Sequence, residues 1–390
     1  MPVVPLLLVL HLSDPHSALD AYPALLGTID QVMAEHPEVE TRILIGGDVF
    51  EHGDPVAQRS KGAGDWALVK ALVKRAPVVW LLGNHDGDLE PYPDVVRKAR
   101  TLGVVVVGTL DLHGAALAPD RTILPGGVSL LAASTPDFST YPKALRSRLK
   151  VRPAPLDGHD KPVVLLSHLG VDADLALVPR VPRGSLILGA HDHRRLIRWV
   201  DGRHLAHSGA FGQGVTVGLL DRRGWKVTWR PVPTADAALS KTLHSIQHTH
   251  LTDEDRRCVG VSPKQMDLEE AAEWAAEALR KAVGTDLAVL NHTSFGSGLP
   301  AGPVSRYQWN RFLRFDNALK RGAVTRIPTS IRLHRSTAAT RGRGPWTLAT
   351  TGWVASKSNV YLGKTTSGPF RSVPKLTLRA ALQKALLPCP

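Results

Sequence analysis

The chain has 390 residues, 43% hydrophobic and 21% charged, ordinary for a globular protein and long enough for two domains with a full core each. No apolar run approaches the roughly 18 residues of a membrane-spanning helix, and two cysteines, Cys258 and Cys389, imply no disulfide framework, which makes the cytoplasm the default compartment. Of the formal charge of +13, residues 301–390 hold sixteen Lys/Arg against one acid, Asp316, so +15 falls there and about −2 on residues 1–300; this fits a polyanionic partner, a basic wall facing a phosphate-bearing substrate, or simply an arginine-rich surface.

In chain order, Pro5-Leu6-Leu7-Leu8-Val9-Leu10 has no basic residue before it and runs straight into Ser13-Asp14-Pro15-His16. It therefore reads as a buried first strand over residues 5–12 rather than a signal peptide. Further strands are expected at 42–46, 77–82, 104–108, 128–133, 162–167 and 185–189, with helical patterns at about 18–35, 63–75 and 91–101. The alternation predicts stacked α/β layers. Near-continuous apolar strands such as Val78-Val79-Trp80-Leu81-Leu82 predict sheets covered on both faces. Residues 203–231 read as β-rich, with Gly-Gln-Gly and Arg-Arg-Gly turns, and close a first domain over 1–232. Periodicity is then lost and His, Thr and Asp accumulate, which places a linker at 233–262. At Asp267-Leu268-Glu269-Glu270 a helix begins, with Asp267 as N-cap and acids in its first turn, and Gly284 ends it. It opens a second α/β unit over 263–390.

Five polar clusters stand out, four of them at the end of an expected strand: Asp14-Pro15-His16, Gly46-Gly47-Asp48, Gly83-Asn84-His85-Asp86, Ser167-His168 and Gly189-Ala190-His191-Asp192-His193. Singly, each reads as readily as a surface turn, since Asn and Asp tolerate capping and left-handed geometry. Together, in order and flanked by glycines, they place Asp, Asn and His donors above one edge of a sheet, where α/β proteins build their sites. This mixed oxygen and nitrogen set suits Mn, Fe, Zn, Co or Ni better than Mg.

These clusters resemble the calcineurin-like metallophosphoesterase superfamily, in which an Asp bridges two metals. The resemblance implies a four-layer α/β/β/α sandwich, with Asp14, His16 and His193 on one metal, Asn84, His168 and His191 on the other, and Asp48 between them. Manganese is the first expectation for the pair, with Zn, Fe, Co and Ni as alternatives. Cations about 3.5–4 Å apart clamp attacking and leaving oxygens and lower the pKa of a bound water. The segment from Gly83 to Asp88 is similar to one in which a His pairs with an Asp three residues on. That similarity gives His85 a role in transition-state stabilisation or leaving-group protonation, oriented by Asp88. Asp86 matches no role, and His11, His52 and His207 are expected to be supporting or structural.

Residues 259–363 resemble the C-terminal domain of the 5′-nucleotidase family, through Glu269 to Ala282, Asp286 to Asn291, Leu299 to Val304 and Trp346 to Ala355. The resemblance implies that this smaller α/β domain binds the nucleoside, with Trp353 stacking on the base, Asn291 at the start of the substrate loop and Asn359 nearby. The chain departs from the family's Asn-Gly-Gly-x-x-Arg loop: it reads Asn291-His292-Thr293-Ser294-Phe295-Gly296, with Gly in place of the phosphate-gripping Arg. Lys264, Arg306 and Lys357 are the candidate replacements. The expected activity is hydrolysis of nucleotides or related phosphate esters. A phosphodiesterase or nuclease acting on nucleic acid through the basic C-terminal segment is the alternative, and a non-catalytic scaffold a third. The sequence leaves the oligomeric state open.

Overall fold

Leu, Val and Ile runs that stop at Gly, Ser or Asp become the strands of two sheets in the N-terminal unit. The computed structural model describes residues 6–139, 141–232, 237–328, 333–337, 345–358, 362, 366 and 368–389. It divides into two units, Met1–His250 and Leu251–Pro390. The first threads through β1 (Leu7–Leu12), α1 (Tyr22–Glu35), β2 (Thr41–Ile45), α2 (Pro55–Ser60), α3 (Ala63–Val73), β3 (Val78–Leu81), α4 (Tyr92–Thr101) and β4 (Val105–Val107). It continues through β5 (Leu110–Leu112), β6 (Ala115–Ala116), β7 (Arg121–Leu124), β8 (Val128–Ala133), α5 (Lys143–Arg146), β9 (Leu149–Val151), β10 (Val164–Ser167), α6 (Val171–Leu177) and β11 (Leu186–Gly189). The hairpins β12 (Arg195–Val200) with β13 (Arg203–Ser208) and β14 (Gly214–Asp221) with β15 (Gly224–Pro231) follow, and then α7 (Ala237–His250).

One sheet has the order β15-β14-β1-β2-β3-β4 and the other β12-β13-β11-β10-β8-β7. The strands at the centre of each sheet pair in parallel, as β1 with β2, β2 with β3, β8 with β10 and β10 with β11. Their carboxyl ends therefore lie side by side. Between the sheets, Leu7, Val9, Leu44, Val79 and Leu81 meet Leu130, Val164, Leu166, Leu186 and Leu188. The alternate residues Leu131, Leu165, Ile187 and Leu205 point the other way and pack with Val178 and Val181. Each fully buried Leu or Val contributes about 1.5–3 kcal/mol relative to exposure. Helices α1, α3 and α4 bury Leu25 and Ile29, Trp66 and Leu72, and Val95 and Ala99, completing the expected α/β/β/α layering.

Two expectations need correction. Residues 237–250, expected within a linker, form helix α7, which packs on α1, α2 and α3 and buries Leu243. Its apolar contact is narrow, so the many His and Thr residues conceal the period. The second correction concerns the cysteines: Cys258 and Cys389 are bonded, their Cα atoms 6.2 Å apart. The pairing spans 131 residues and follows from topology, because Val261 bridges Leu387 and brings the chain's end beside the strand that carries Cys258. With the two cysteines joined, their number no longer favours a cytoplasmic compartment.

The C-terminal unit comprises α8 (Asp253–Arg256), β16 (Cys258–Ser262), α9 (Leu268–Val283), β17 (Leu287–Asn291), β18 (Gly302–Ser305), α10 (Arg306–Phe312), β19 (Ala318–Val324), β20 (Leu333–Thr337), β21 (Trp346–Thr351), α11 (Gly352–Ser356), β22 (Arg371–Thr377) and α12 (Leu378–Gln383). Its main sheet has the order β20-β17-β21-β19-β22. Helix α9 starts and stops where the sequence says: the Asp267 carboxylate accepts from the Glu270 amide at 2.9 Å, and Gly284 takes the left-handed cap with φ 66°.

Candidate metal centre

Each strand that ends in a polar cluster delivers it to the same edge. β1 leads into Asp14 and His16, β2 into Asp48, β3 into Asn84 and His85, β10 into His168, and β11 into His191 and His193. Because the two sheets stack face to face, the row from β1–β3 meets the row from β10 and β11. His16 Nε2 lies 3.0 Å from His193 Nε2 and 3.7 Å from Asp48 Oδ2. On the other side, His168 Nε2 lies 3.0 Å from Asp48 Oδ2 and 3.2 Å from Asn84 Oδ1, which is 3.1 Å from His191 Nδ1. Ligand atoms of Asp14, His16 and His193 lie within 4.8 Å of one another, as do those of Asp48, His168 and His191. All seven side chains expected to hold metals are thus in one place, with Asp48 reaching both groups.

The backbone is bent to put them there. Asp14, His16, Asp48, His191 and His193 all have positive φ, between 45° and 86°, a conformation that costs non-glycine residues of order 1–3 kcal/mol each and gathers at functional sites. The flanking glycines have a steric reason. A Cβ on Gly47 would lie 2.7 Å from His168 Nδ1, and one on Gly83 would collide with the Asp48 carboxylate. The imidazole of His168 donates from Nδ1 to the Gly46 carbonyl at 2.6 Å, which leaves Nε2 as the atom turned to Asp48.

Asp86, which the sequence left without a role, anchors the region. Its carboxylate accepts from the amides of Asp48 (3.2 Å), Val49 (2.8 Å) and Gly83 (2.7 Å) and from Trp80 Nε1 (3.1 Å), tying the β2 loop to the β3 loop. Glu51 and Phe211 were also missed. Glu51 lies 3.3 Å from His16 Nδ1, and the Phe211 ring packs against His16 and His193 at 5.6 and 5.0 Å. Nothing in a lone Glu or Phe beside a turn marks such contacts. Behind the other row, His207 Nε2 sits 2.9 Å from Asp174 and His207 Nδ1 3.6 Å from Asp192, while the Ser167 hydroxyl donates to Asp174. His11 faces Ser208. Both histidines are supporting, as expected, and exposed His52 donates its amide to Asp88 at 3.1 Å while its carbonyl accepts from Gln58.

His85 is held twice. Its amide donates to Asp48 Oδ1 at 2.7 Å, and its ring Nδ1 is 2.8 Å from Asp88 Oδ2. Burial pushes its pKa down, but the Asp48 charge and the Asp88 bond overcome this and raise it to about 9. Burial likewise opposes His168, and Asp48 raises it to about 10. The Asp48 carboxyl, despite burial, is held well below the usual range by His168, His85 and His16. Burial raises Asp14 to about 7, with His168 opposing and Asp48 assisting. The pocket thus selects for positive charge around Asp48. Divalent cations supply that charge, and the mixed imidazole, carboxylate and amide donors suit borderline metals.

Other site expectations fall in the C-terminal unit. Asn291 is buried and its amide serves its own loop, donating to Thr293 at 2.8 Å and accepting from Ser294 at 2.7 Å. Trp353 is 37% exposed at the start of α11, with Lys357 Nζ 3.8 Å from its ring centroid. Asn359 lies outside the described residues. Two of the candidate replacements for the missing Arg face acids: Lys264 pairs with Glu270 and Arg306 with Glu254. Beside Gly296, whose added Cβ would lie 2.6 Å from the Arg311 carbonyl, runs the Arg314 side chain.

Residues 7–195 match the calcineurin-like phosphoesterase family. A curated relative, the uncharacterized metallophosphoesterase YunD of Bacillus subtilis (strain 168), is 24% identical over 284 residues, 68% of this chain and 54% of the relative. The chain thus spans about half the length of that relative. Among solved structures, a 5′-nucleotidase precursor of Thermus thermophilus superposes with a TM-score of 0.60 at 16% identity, covering 97% of this chain and 95% of that one. SoxB, a sulfate thiohydrolase of Thermus thermophilus, gives 0.63 at 14% identity, covering 98% and 94%. The 5′-nucleotidase of Candida albicans gives 0.58 at 10% identity, covering 97% of each chain. At these identities the likeness is one of fold: that of the two-domain 5′-nucleotidases.

Proposed function

We propose, from the premise that residues 7–195 are a calcineurin-like phosphoesterase domain, that this chain is a metal-dependent phosphohydrolase acting on nucleotides or related phosphate esters. The observation that carries the reading is the convergence of the two donor groups on Asp48, which lies 3.0 Å from His168 and 3.7 Å from His16. Asp14, His16 and His193 would hold one divalent cation and Asn84, His168 and His191 the other, with Asp48 shared; when bound, such a pair supplies Lewis acidity and an activated water.

The chain's own residues do the rest. His85, its ring Nδ1 held 2.8 Å from Asp88 Oδ2, would donate from Nε2 to a phosphoryl or leaving-group oxygen. Asp88 positions that ring, and the His85 amide keeps Asp48 aimed at the centre. Asp86 holds both loops in register by four accepted hydrogen bonds. In the C-terminal unit, exposed Trp353 offers a face for a nucleobase, and stacking contributes about 1–3 kcal/mol per base. Asn291 shapes the adjacent loop through its bonds to Thr293 and Ser294.

The test is a substrate panel on the full chain loaded with Mn²⁺: nucleoside mono-, di- and triphosphates, cyclic nucleotides, bis-p-nitrophenyl phosphate and single-stranded DNA. Release of inorganic phosphate from nucleotides, lost in Asp48→Ala, is expected. Turnover of diesters alone would move the reading to a phosphodiesterase or nuclease. No turnover with Mn, Zn, Co or Ni, or near-normal rates in Asp48→Ala, would refute it.

A further inference from the structure

The C-terminal unit carries a separate donor group that the proposed function does not use. His292 stands in the single turn after β17, His334 on β20, and Glu269 in the first turn of α9. β17 and β20 pair antiparallel with Leu290 opposite His334, so the turn beyond β17 brings His292 to the His334 ring. His292 Nδ1 is 2.9 Å from His334 Nε2, and the ring centroids are 5.0 Å apart. On its other nitrogen, His334 Nδ1 is 3.5 Å from Glu269 Oε2. One donor atom from each of the three lies within 4.8 Å of the other two.

Both imidazoles are only 7% exposed, whereas the Glu269 side chain is 62% exposed. Two buried histidines facing each other, one in a turn and one on a strand, with a carboxylate on the solvent side, form the donor set of a borderline divalent cation. With metal–nitrogen bonds of about 2.0–2.1 Å, nitrogens 2.9 Å apart subtend roughly a right angle at a shared ion. Phe295 closes the apolar side, its ring edge-on to His334 at 5.7 Å. The carboxylate marks the way in. His292 also belongs to the segment where the chain departs from the nucleotidase loop, so the family resemblance does not account for it.

We propose that His292, His334 and Glu269 form a separate cation site for Zn²⁺ or Ni²⁺, which fastens the 292–294 turn to β20 and α9. It is independent of the cation pair at Asp48.

The full chain, stripped with chelator, would be titrated with Zn²⁺, freed of loose metal by gel filtration and its metal counted. The unaltered chain should hold about one equivalent more than the His292→Ala/His334→Ala chain, and Asp48→Ala should keep that extra equivalent. Equal metal content with and without the two histidines overturns the proposal. Should the double variant fail to fold, Glu269→Gln decides, being an exposed change on a helix surface: the stripped variant should melt with the stripped parent yet bind the extra Zn²⁺ at least about tenfold more weakly, and unchanged affinity overturns the site. If the only metal bound is the part lost with the two histidines, this site stands and the cation pair of the proposed function falls.

Discussion

At the scale of single residues, the site is a set of charges arranged around Asp48. His85 lies in a buried setting that by itself lowers an imidazole pKa, and it is raised to about 9 by Asp48 and then Asp88. Asp88→Asn keeps the shape and removes the charge, so the folded-state pKa drops. The protonated donor is lost as pH rises through that pKa, and the alkaline limb of the kcat/KM profile should move to lower pH, with kcat down about 10²-fold at pH 8. Metal content should not change. An unmoved alkaline limb would remove His85 from the proton-donor role. A second residue, Asp65, is buried in the first turn of α3 and accepts from Tyr22 Oη (2.6 Å) and Ser17 Oγ (3.1 Å). Burial raises its pKa to about 8, with Tyr22 and Ser17 opposing. Between its unfolded value near 4 and about 8, the folded chain holds a proton that the unfolded chain has released, so stability falls as pH climbs through that window. Asp65→Asn should remove that slope: its melting temperature relative to the parent should rise from pH 5 to pH 8. A difference flat in pH would contradict the assignment.

At the scale of elements, the N-terminal unit was legible because each strand carries its own stop signal. Val78-Val79-Trp80-Leu81 is a buried strand by composition, and Gly83-Asn84-His85 ends it at a glycine where an added Cβ would have no room. The same holds for β1, β2, β10 and β11, whose expected ends fall within one or two residues of those observed. Their pairing order was not legible, since parallel neighbours are joined through helices and nothing in Leu44 says it faces Val79. Helix α7 was hidden because Leu243 alone of its described residues is fully buried, among histidines and threonines that read as linker. Asp86 was hidden for another reason: its four partners include three backbone amides, which leave no trace in side-chain identity. The strand-end glycines give the sharpest prediction at this scale. A methyl on Gly83 would enter the space of the Asp48 carboxylate and lie 2.6 Å from the Asp48 amide. Gly83→Ala should therefore lower bound metal and turnover together, while far-UV circular dichroism stays that of the parent. Full metal occupancy in Gly83→Ala would show that the loop yields without cost.

At the scale of the whole molecule, the two units are secured differently. The N-terminal unit has two six-stranded sheets packed through a shared apolar layer. The C-terminal unit has one five-stranded sheet, a smaller cluster around Leu287, Val289, Val324 and Leu348, and the +15 charge of residues 301–390 pressing outward. Its covalent tie is the Cys258–Cys389 bond, which joins the first strand of the unit to the tail beyond α12 and closes a separation of 131 residues. Closing so long a loop restricts the unfolded chain, and losing such a bond typically costs about 2–5 kcal/mol. In a unit of this size that corresponds to a melting shift on the order of 10 °C. Calorimetry of the chain with Cys258→Ser and Cys389→Ser should show one transition moved down by this amount and the other unmoved. The nine tryptophans assign them, because Trp66, Trp80, Trp199, Trp225 and Trp229 report the N-terminal unit and Trp274, Trp309, Trp346 and Trp353 the C-terminal one. Low salt should widen the gap, because the excess positive charge is then less screened. If both transitions shifted equally, the bond would be stabilising more than the unit that contains it.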